Sequence, residues 1–302
     1  MGTLASDSTN STYLGDSLDF SLRFPPLPKT LTEVSRLIAE SAELPDTPRL
    51  ADIVRADPII ATFVLRRVNS VYHGVRREVD DVRQAVLLLG FEEVCNLTLT
   101  VGMMEMEESV VSGEPAAVFR DIMKVSIGAA FFAHELANRL RLPQKSKAFT
   151  LGLQHAVGRL VLLYNRPREY EVLWRSTERD FGPRAAIERM TFGADHNELG
   201  ARALEKWNYP GSITSIIRNF HRPGALKEQH LRSLAMTLSV AVSASEQLCL
   251  SMVSNKGKPF FTPTSITHAL ARLMKITSKD LVEKIRPRRE EARDYIAAML
   301  RG

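Results

Sequence analysis

Two cysteines in 302 residues are too few for the disulfide frameworks that hold small secreted domains together. Cys95 and Cys249 each fall inside an apolar helical pattern with no partner at metal-site spacing, and they read as reduced core thiols of a cytoplasmic protein. No apolar run is long enough to cross a bilayer, and the N-terminus lacks the basic start and apolar stretch of a signal peptide. Both absences predict a cytoplasmic chain without membrane insertion. Neither sign of charge dominates, since 40 Lys and Arg against 35 Asp and Glu leave +5. That excess is spread through both halves instead of forming a basic tail, so nucleic acid is not the expected partner. A Walker loop, a Gly-x-Gly-x-x-Gly turn after a strand, a Gly-x-Ser-x-Gly elbow and a paired cysteine site are also missing.

What is present is a hydrophobic content of 44% and a charged content of 25%, the composition of a globular chain with real cores. Residues 1–21, rich in Ser, Thr, Asp and Gly without periodicity, read as a flexible leader. Thr30 and Glu33 offer a capping box for a helix with Leu31, Val34, Leu37 and Ile38 on its buried stripe. A short helix over Leu50 to Ala56 follows. Asp57 then suits an N-cap and Pro58 the first position of a helix through Val68, with Ile59, Ile60, Phe63, Val64 and Val68 predicted to be central. Asn69 and Ser70 are read as helix caps. Val82 to Leu89 is stopped by Gly90, and Phe91 to Met104 starts at once.

Helices are expected next over Ala116 to Leu140, from Pro167, from Gly182-Pro183, and from His196 through Trp207 behind an Asp195 and Glu198 cap. Others are expected around Ile213 to Phe220, over Leu231 to Met252, and over Ser278 to Leu300 as one charged amphipathic helix, with Lys256 to Pro259 as an exposed basic loop. His134, His230 and His268 are read as surface or capping histidines. Helix after helix without alternating strands predicts an all-α fold. The acidic stretch Glu105 to Pro115 marks the expected junction between an N-terminal helical subdomain, 22–114, and a helical bundle, 115–302.

Residues Thr150 to Tyr164 read TLGLQHAVGRLVLLY. Leu153, Val157, Leu160, Val161 and Tyr164 recur at helical spacing, and His155 and Arg159 are predicted to share one face of that helix. Gly152 and Gly158 each cost about 1 kcal/mol relative to Ala in a helix, which implies a close approach by another backbone. Arg159 is expected to pair with a carboxylate.

Leu27-Pro28, Asp57-Pro58, Leu65, Val68-Asn69-Ser70, Tyr72-His73-Gly74 and Ala85 to Gly90 resemble, in order and spacing, the N-terminal half of the HDOD family, the HD-related output domains of bacteria. The resemblance runs from about Phe24 to the last fifth of the chain. The stretch around His155 is similar to the helix carrying the His-Asp doublet of the HD phosphohydrolase superfamily. It implies an N-terminal helical subdomain packed on a degenerate HD-like bundle.

In catalytic HD members, a histidine, the doublet and a later aspartate hold a metal that activates water against a phosphate, with further histidines in the two-metal branch that hydrolyses cyclic dinucleotides. By that resemblance the first histidine position is Val125, the doublet reads His155-Ala156, and the histidine before a capped helix is His196. A His-His pair reads Phe220-His221, and the stretch for the last aspartate offers only Glu246. His155, His196 and His221 are the remaining candidates for holding a metal. They are read as neutral hydrogen-bonded histidines, with no metal and no cofactor expected.

Arg66, Arg67, Arg76 and Arg77 bracket Asn69 to Gly74 and form a candidate patch for a phosphate or an acidic partner, with solvated helix ends as the competing meaning. The function implied by the resemblance is non-catalytic signal-transduction output or scaffolding in a bacterial pathway, with a cyclic-dinucleotide link among the options and other signalling proteins as partners. A residual metal-dependent phosphohydrolase acting on a nucleotide or cyclic dinucleotide is one alternative. A module binding nucleic acid or a small nucleotide is the other.

Overall fold

Each regular element the sequence predicts to be helical needs an apolar stripe and a partner to bury it. The computed structural model describes residues 23–40, 45–71, 78–111, 115–142, 146–177, 184–253 and 261–301, and all regular structure there is helical. The expected all-α fold is observed. The leader, Tyr72 to Gly74, Arg76, Arg77, residues 112–114 of the expected junction, Gly182-Pro183 and the Lys256 to Pro259 loop lie outside the described residues.

Helix α1 (Lys29–Glu40) buries Leu31, Val34, Leu37 and Ile38 as its spacing predicts. Its start differs from the expected capping box. The helix begins two residues earlier, at Lys29, and Thr30 Oγ1 donates to Asp57 Oδ2 at 2.9 Å, because tertiary packing offers the hydroxyl a carboxylate. Asp57 in turn caps α3 (Pro58–Val71), its Oδ1 accepting from the amides of Ile59 and Ile60. Among the described side chains of α3, only Ile60, Val64 and Val68 are buried, on one stripe, while Ile59 is 55% exposed. A second correction falls at its end. Asn69 and Ser70 are not caps, since α3 runs through both. Asn69 instead clasps the Val79 backbone, donating to its carbonyl and accepting from its amide, both at 2.9 Å.

Between these elements lies α2 (Thr47–Arg55), capped by Asp46. Then α4 (Val82–Leu89) and α5 (Phe91–Met104) follow, joined at Gly90 with φ +88°. That left-handed backbone suits glycine and lets the chain turn by 114° between Val82–Leu89 and Phe91–Val110. A short α6 (Glu107–Val110) leads to α7 (Ala116–Arg139). This long helix is the axis of the second half, packing against α8 (Ser146–Gln154), α14 (Gln229–Val253) and α17 (Arg289–Arg301). Between α8 and α14 come α9 (Val157–Asn165), α10 (Pro167–Ser176), α11 (Arg184–Phe192), α12 (His196–Lys206) and α13 (Gly211–Asn219). One contiguous apolar core runs from Leu31 to Ile296.

By length and composition α14 could cross a membrane over Gln229–Met252, which the sequence reading did not anticipate. That window is 72% buried within the protein, however, as in a core helix. The expected single helix over Ser278 to Leu300 is instead α16 (Ser278–Ile285), a 3₁₀ turn over Arg286–Arg288, and α17. Pro287 has no N–H to continue the ladder. The capped helix α15 (Ser265–Leu273) was not anticipated, although Thr264 and Thr267 form its capping box.

The largest correction concerns Thr150 to Tyr164, which is two helices broken at His155-Ala156. His155 Nδ1 bonds the Gly152 carbonyl at 2.7 Å, the group that the Ala156 amide would use in a continuous helix. A side chain thus competes with the backbone ladder at the site where α8 ends. The close approach expected at both glycines is present. A Cβ on Gly152 would lie 2.4 Å from Ala130 Cα of α7, and one on Gly158 would lie 1.9 Å from the His196 carbonyl oxygen. Neither neighbour can yield without moving a helix. Gly158→Ala is therefore expected to destabilise the chain by about 3 kcal/mol or more. Gly224→Ala, which meets nothing within 4 Å, should change stability by less than about 0.5 kcal/mol. Urea denaturation of both variants checks this, and equal midpoints would refute the helix contact.

Candidate functional site

The break at His155 and the contact at Gly158 bring five of the sequence-predicted positions together. His155 and Ala156 sit between α8 and α9, His196 opens α12 behind its Asp195 cap, and Phe220-His221 follows α13. All three imidazoles border the Phe220 ring. Centroid distances to it are 6.0 Å from His155, 6.4 Å from His196 and 4.1 Å from His221, and the His196 and His221 rings stand perpendicular at 5.6 Å. Phe220 is fully buried. Val125 is also buried on α7, where its carbonyl accepts from Ser245 Oγ at 2.8 Å.

The charged groups around these rings were only partly visible in the sequence. Arg159, on α9, is 1% exposed and pairs with Glu246 of α14 at 3.2 Å, as its expected carboxylate. Glu188, on α11, was missed. Its Oε1 accepts from Tyr170 Oη at 2.9 Å, and its Oε2 accepts from both the His196 amide and the His196 ring. Arg184, one turn before Glu188, donates Nε–H to Thr177 Oγ1 at 2.9 Å and lies 4.0 Å over the Trp174 ring. The signal for both is that Arg184, Glu188 and Phe192 share one helical stripe, which places two charges on a core face.

Charge states follow from this packing. Burial alone would raise the Glu188 carboxyl, yet the charge and hydrogen bonds of His196, with Arg159 nearby, bring it down to about 2. Burial works against the Arg159 charge, and Glu246, followed by Tyr170 and Glu188, outweighs it and holds the guanidinium above its ordinary range. Burial pushes Arg184 down to about 10, and Arg159 adds to that. His155 is pushed well below the usual imidazole range, first by burial and then by Arg159. His221 lies at the rim with one side in solvent. Packing on its other side, then His196 and Arg159, lowers it as well.

Carbonyls and carboxylates only accept, so the Nδ1 atoms of His155 and His196 carry the protons in those bonds. The Nε2 atom of each is buried and has no partner among the described residues, as do Nε and Nη1 of Arg159.

The resemblance to catalytic HD members would place a divalent metal here, and the donor set does not fit one. Val125 and Ala156 bring no ligand atom, and Phe220 brings an aromatic face among the imidazoles. Among the described residues, no three His, Cys, Asp or Glu side chains are placed to hold an ion. Structural or catalytic zinc needs at least three converging donors. None of the three histidines lines the cleft of about 510 Å³ between Glu108, Val111, Tyr164 and Arg168.

The candidate arginine patch is separate. Arg66 is exposed and lies 5.4 Å over Phe63, while Arg67 pairs with Glu93 at 3.3 Å. Arg76 and Arg77 lie outside the described residues. His134, His230 and His268 are half-buried or exposed, bonded to Asn138, Glu228 and Ser278. Both cysteines are free, with Cys95 buried and Cys249 partly so.

Against this geometry stand the known proteins that the chain resembles. A family model described as HDOD domain matches residues 24–223. An uncharacterized protein of Treponema pallidum (strain Nichols) is 26% identical over 224 residues, covering 72% of this chain and 41% of that protein. The uncharacterized protein YuxH of Bacillus subtilis (strain 168) is 22% identical over 143 residues, 47% of this chain and 32% of its own. The chain thus spans less than half the length of these curated relatives. Among solved structures, an HDOD domain protein of unknown function from Geobacter sulfurreducens has a TM-score of 0.71 at 17% identity, covering 92% of this chain and 93% of its own. A protein from Marinobacter aquaeolei VT8, named provisionally for signal transduction, has 0.68 at 23% identity, covering 92% and 60%. A protein from Shewanella amazonensis SB2B, named provisionally as a phosphohydrolase, has 0.62 at 22% identity, covering 91% and 95%. These structures share the fold.

The buried groups make stability depend on pH in two windows. His155 and His221 are lowered from 6.5, so the unfolded chain takes up their protons first. Their contribution is complete above about pH 6.5 and is lost as pH falls below it. Glu188, at about 2 against an ordinary 4.5, adds a second loss from about pH 4.5 downwards. Unfolding free energies measured by urea between pH 8 and pH 3 should decline through both windows. Glu188→Gln is expected to be less stable than wild type at pH 7 by on the order of 3 kcal/mol, with the gap narrowing towards pH 3. A constant gap would contradict the assignment.

Proposed function

The chain belongs to the HDOD family, and on that premise we propose that it is a non-catalytic output or scaffold module of bacterial signalling that acts through contacts with other proteins. The observation that carries this reading is the Phe220 ring seated among His155, His196 and His221. A hydrolytic metal would need those imidazoles and additional carboxylates to converge on open space reached by substrate. Here the carboxylates Glu188 and Glu246 are engaged by His196 and Arg159, and Val125 and Ala156 supply nothing. A fold that keeps its packing while its ligand positions turn apolar is being used for shape and surface.

Purified chain incubated with manganese, iron or zinc is expected to show no hydrolysis of an activated phosphodiester or of cyclic dinucleotides above the protein-free rate. Crosslinking in the host should return a signalling protein as a stoichiometric partner. His155→Ala is expected to alter stability or partner affinity, with no rate to lose. Metal-dependent turnover abolished by His155→Ala or His196→Ala would overturn the proposal and restore the phosphohydrolase reading.

A further inference from the structure

The resemblance to catalytic HD members would place a divalent ion where this chain supplies two buried guanidiniums. We infer that Arg159, with Arg184 behind it, is the resident cation of this site, a covalently attached charge that answers Glu188 and Glu246 in place of a metal. The inference rests on the non-catalytic reading and adds what holds the site together without an ion.

Two fully buried arginines, two carboxylates, one fully and one largely buried, and the His196 ring on Glu188 supply both signs of charge from within the chain. A divalent ion added to that set would bring two uncompensated charges into a low-dielectric interior, which is strongly unfavourable. The cluster draws on α9, α10, α11, α12 and α14 through Arg159, Tyr170, Arg184, Glu188, His196 and Glu246. With the ligand positions it shares α12, α14 and the start of α9, and it adds α10 and α11. The two guanidiniums share the Trp174 ring, with Cζ atoms 5.8 Å and 4.0 Å from its centroid. That stacking suits a planar cation and gives nothing to a hydrated metal.

A residue acting as a bound cation can be replaced by the same cation in solution. Arg159→Ala should melt roughly 10 °C below wild type, since it leaves Glu246 without its partner. Guanidinium chloride at 20 mM should restore a measurable part of that loss, and 20 mM sodium chloride or ethylammonium chloride should not. Wild-type melting should be unmoved by EDTA and by 1 mM zinc or manganese. If Arg159→Ala fails to fold, Arg159→Met, Glu246→Gln and the double variant supply the same test, because the double variant should melt above Arg159→Met alone. Equal effects of guanidinium and sodium on Arg159→Ala would overturn the inference, as would a double variant no more stable than Arg159→Met. A chelator-induced fall in wild-type melting would do the same. Metal-dependent turnover is the separate result that would defeat the functional reading, so the two failures are distinguishable.

Discussion

A carboxylate sealed from water must have its charge answered inside the protein, and Glu188 is that carboxylate. It has no exposure and accepts from Tyr170 of α10, from the His196 backbone at the start of α12, and from the His196 ring. An unpaired charge in such a place would be several kcal/mol unfavourable. The geometry of α10, α11 and α12 is therefore coupled through one side chain. Arg159 and Glu246 extend the coupling to α9 and α14, so most of the second half of the fold converges on this network.

The second constraint is steric. At Gly158 the backbone of α9 touches the His196 carbonyl, and at Gly152 the backbone of α8 touches α7. These approaches hold His155 and His196 against Phe220. The break between α8 and α9 belongs to the same device, because the His155 ring occupies the Gly152 carbonyl and frees the chain to redirect. The result is a site with the layout of a metal centre and the chemistry of a packed core. Some of its polar atoms bond one another, while Nε2 of His155 and of His196 has no partner among the described residues.

Much of the fold was legible because it rests on local periodicity. The stripe of α1, the Gly90 turn, the Asp57 and Asp195 caps and the full extent of α5 follow from residues within one or two turns of each other. The failures are equally physical. Thr30 and Asn69 carry good capping side chains, but Asp57 and Val79 reach them through tertiary folding. Ser278 to Leu300 has a continuous amphipathic pattern that Pro287 interrupts. At the site, the place of His196 at the start of its helix and the pairing of Arg159 with a carboxylate could be anticipated. Glu188 could not be singled out, because a glutamate on a short helix usually faces water and only its alignment with Phe192 hints otherwise.

By itself the sequence determined that this is an all-α chain with an HDOD pattern, and that Val125, Ala156 and Phe220 bring no donor atom to the positions the resemblance assigns to ligands, since residue identity alone decides whether a donor atom exists. Only the tertiary structure decided what took the donors' place. Whether His155, His196 and His221 meet, whether Phe220 fills the space among them, and whether Arg159 finds Glu246 depend on contacts between helices far apart in the chain. Burial then sets the charge states, because desolvation acts through neighbours that no local pattern names.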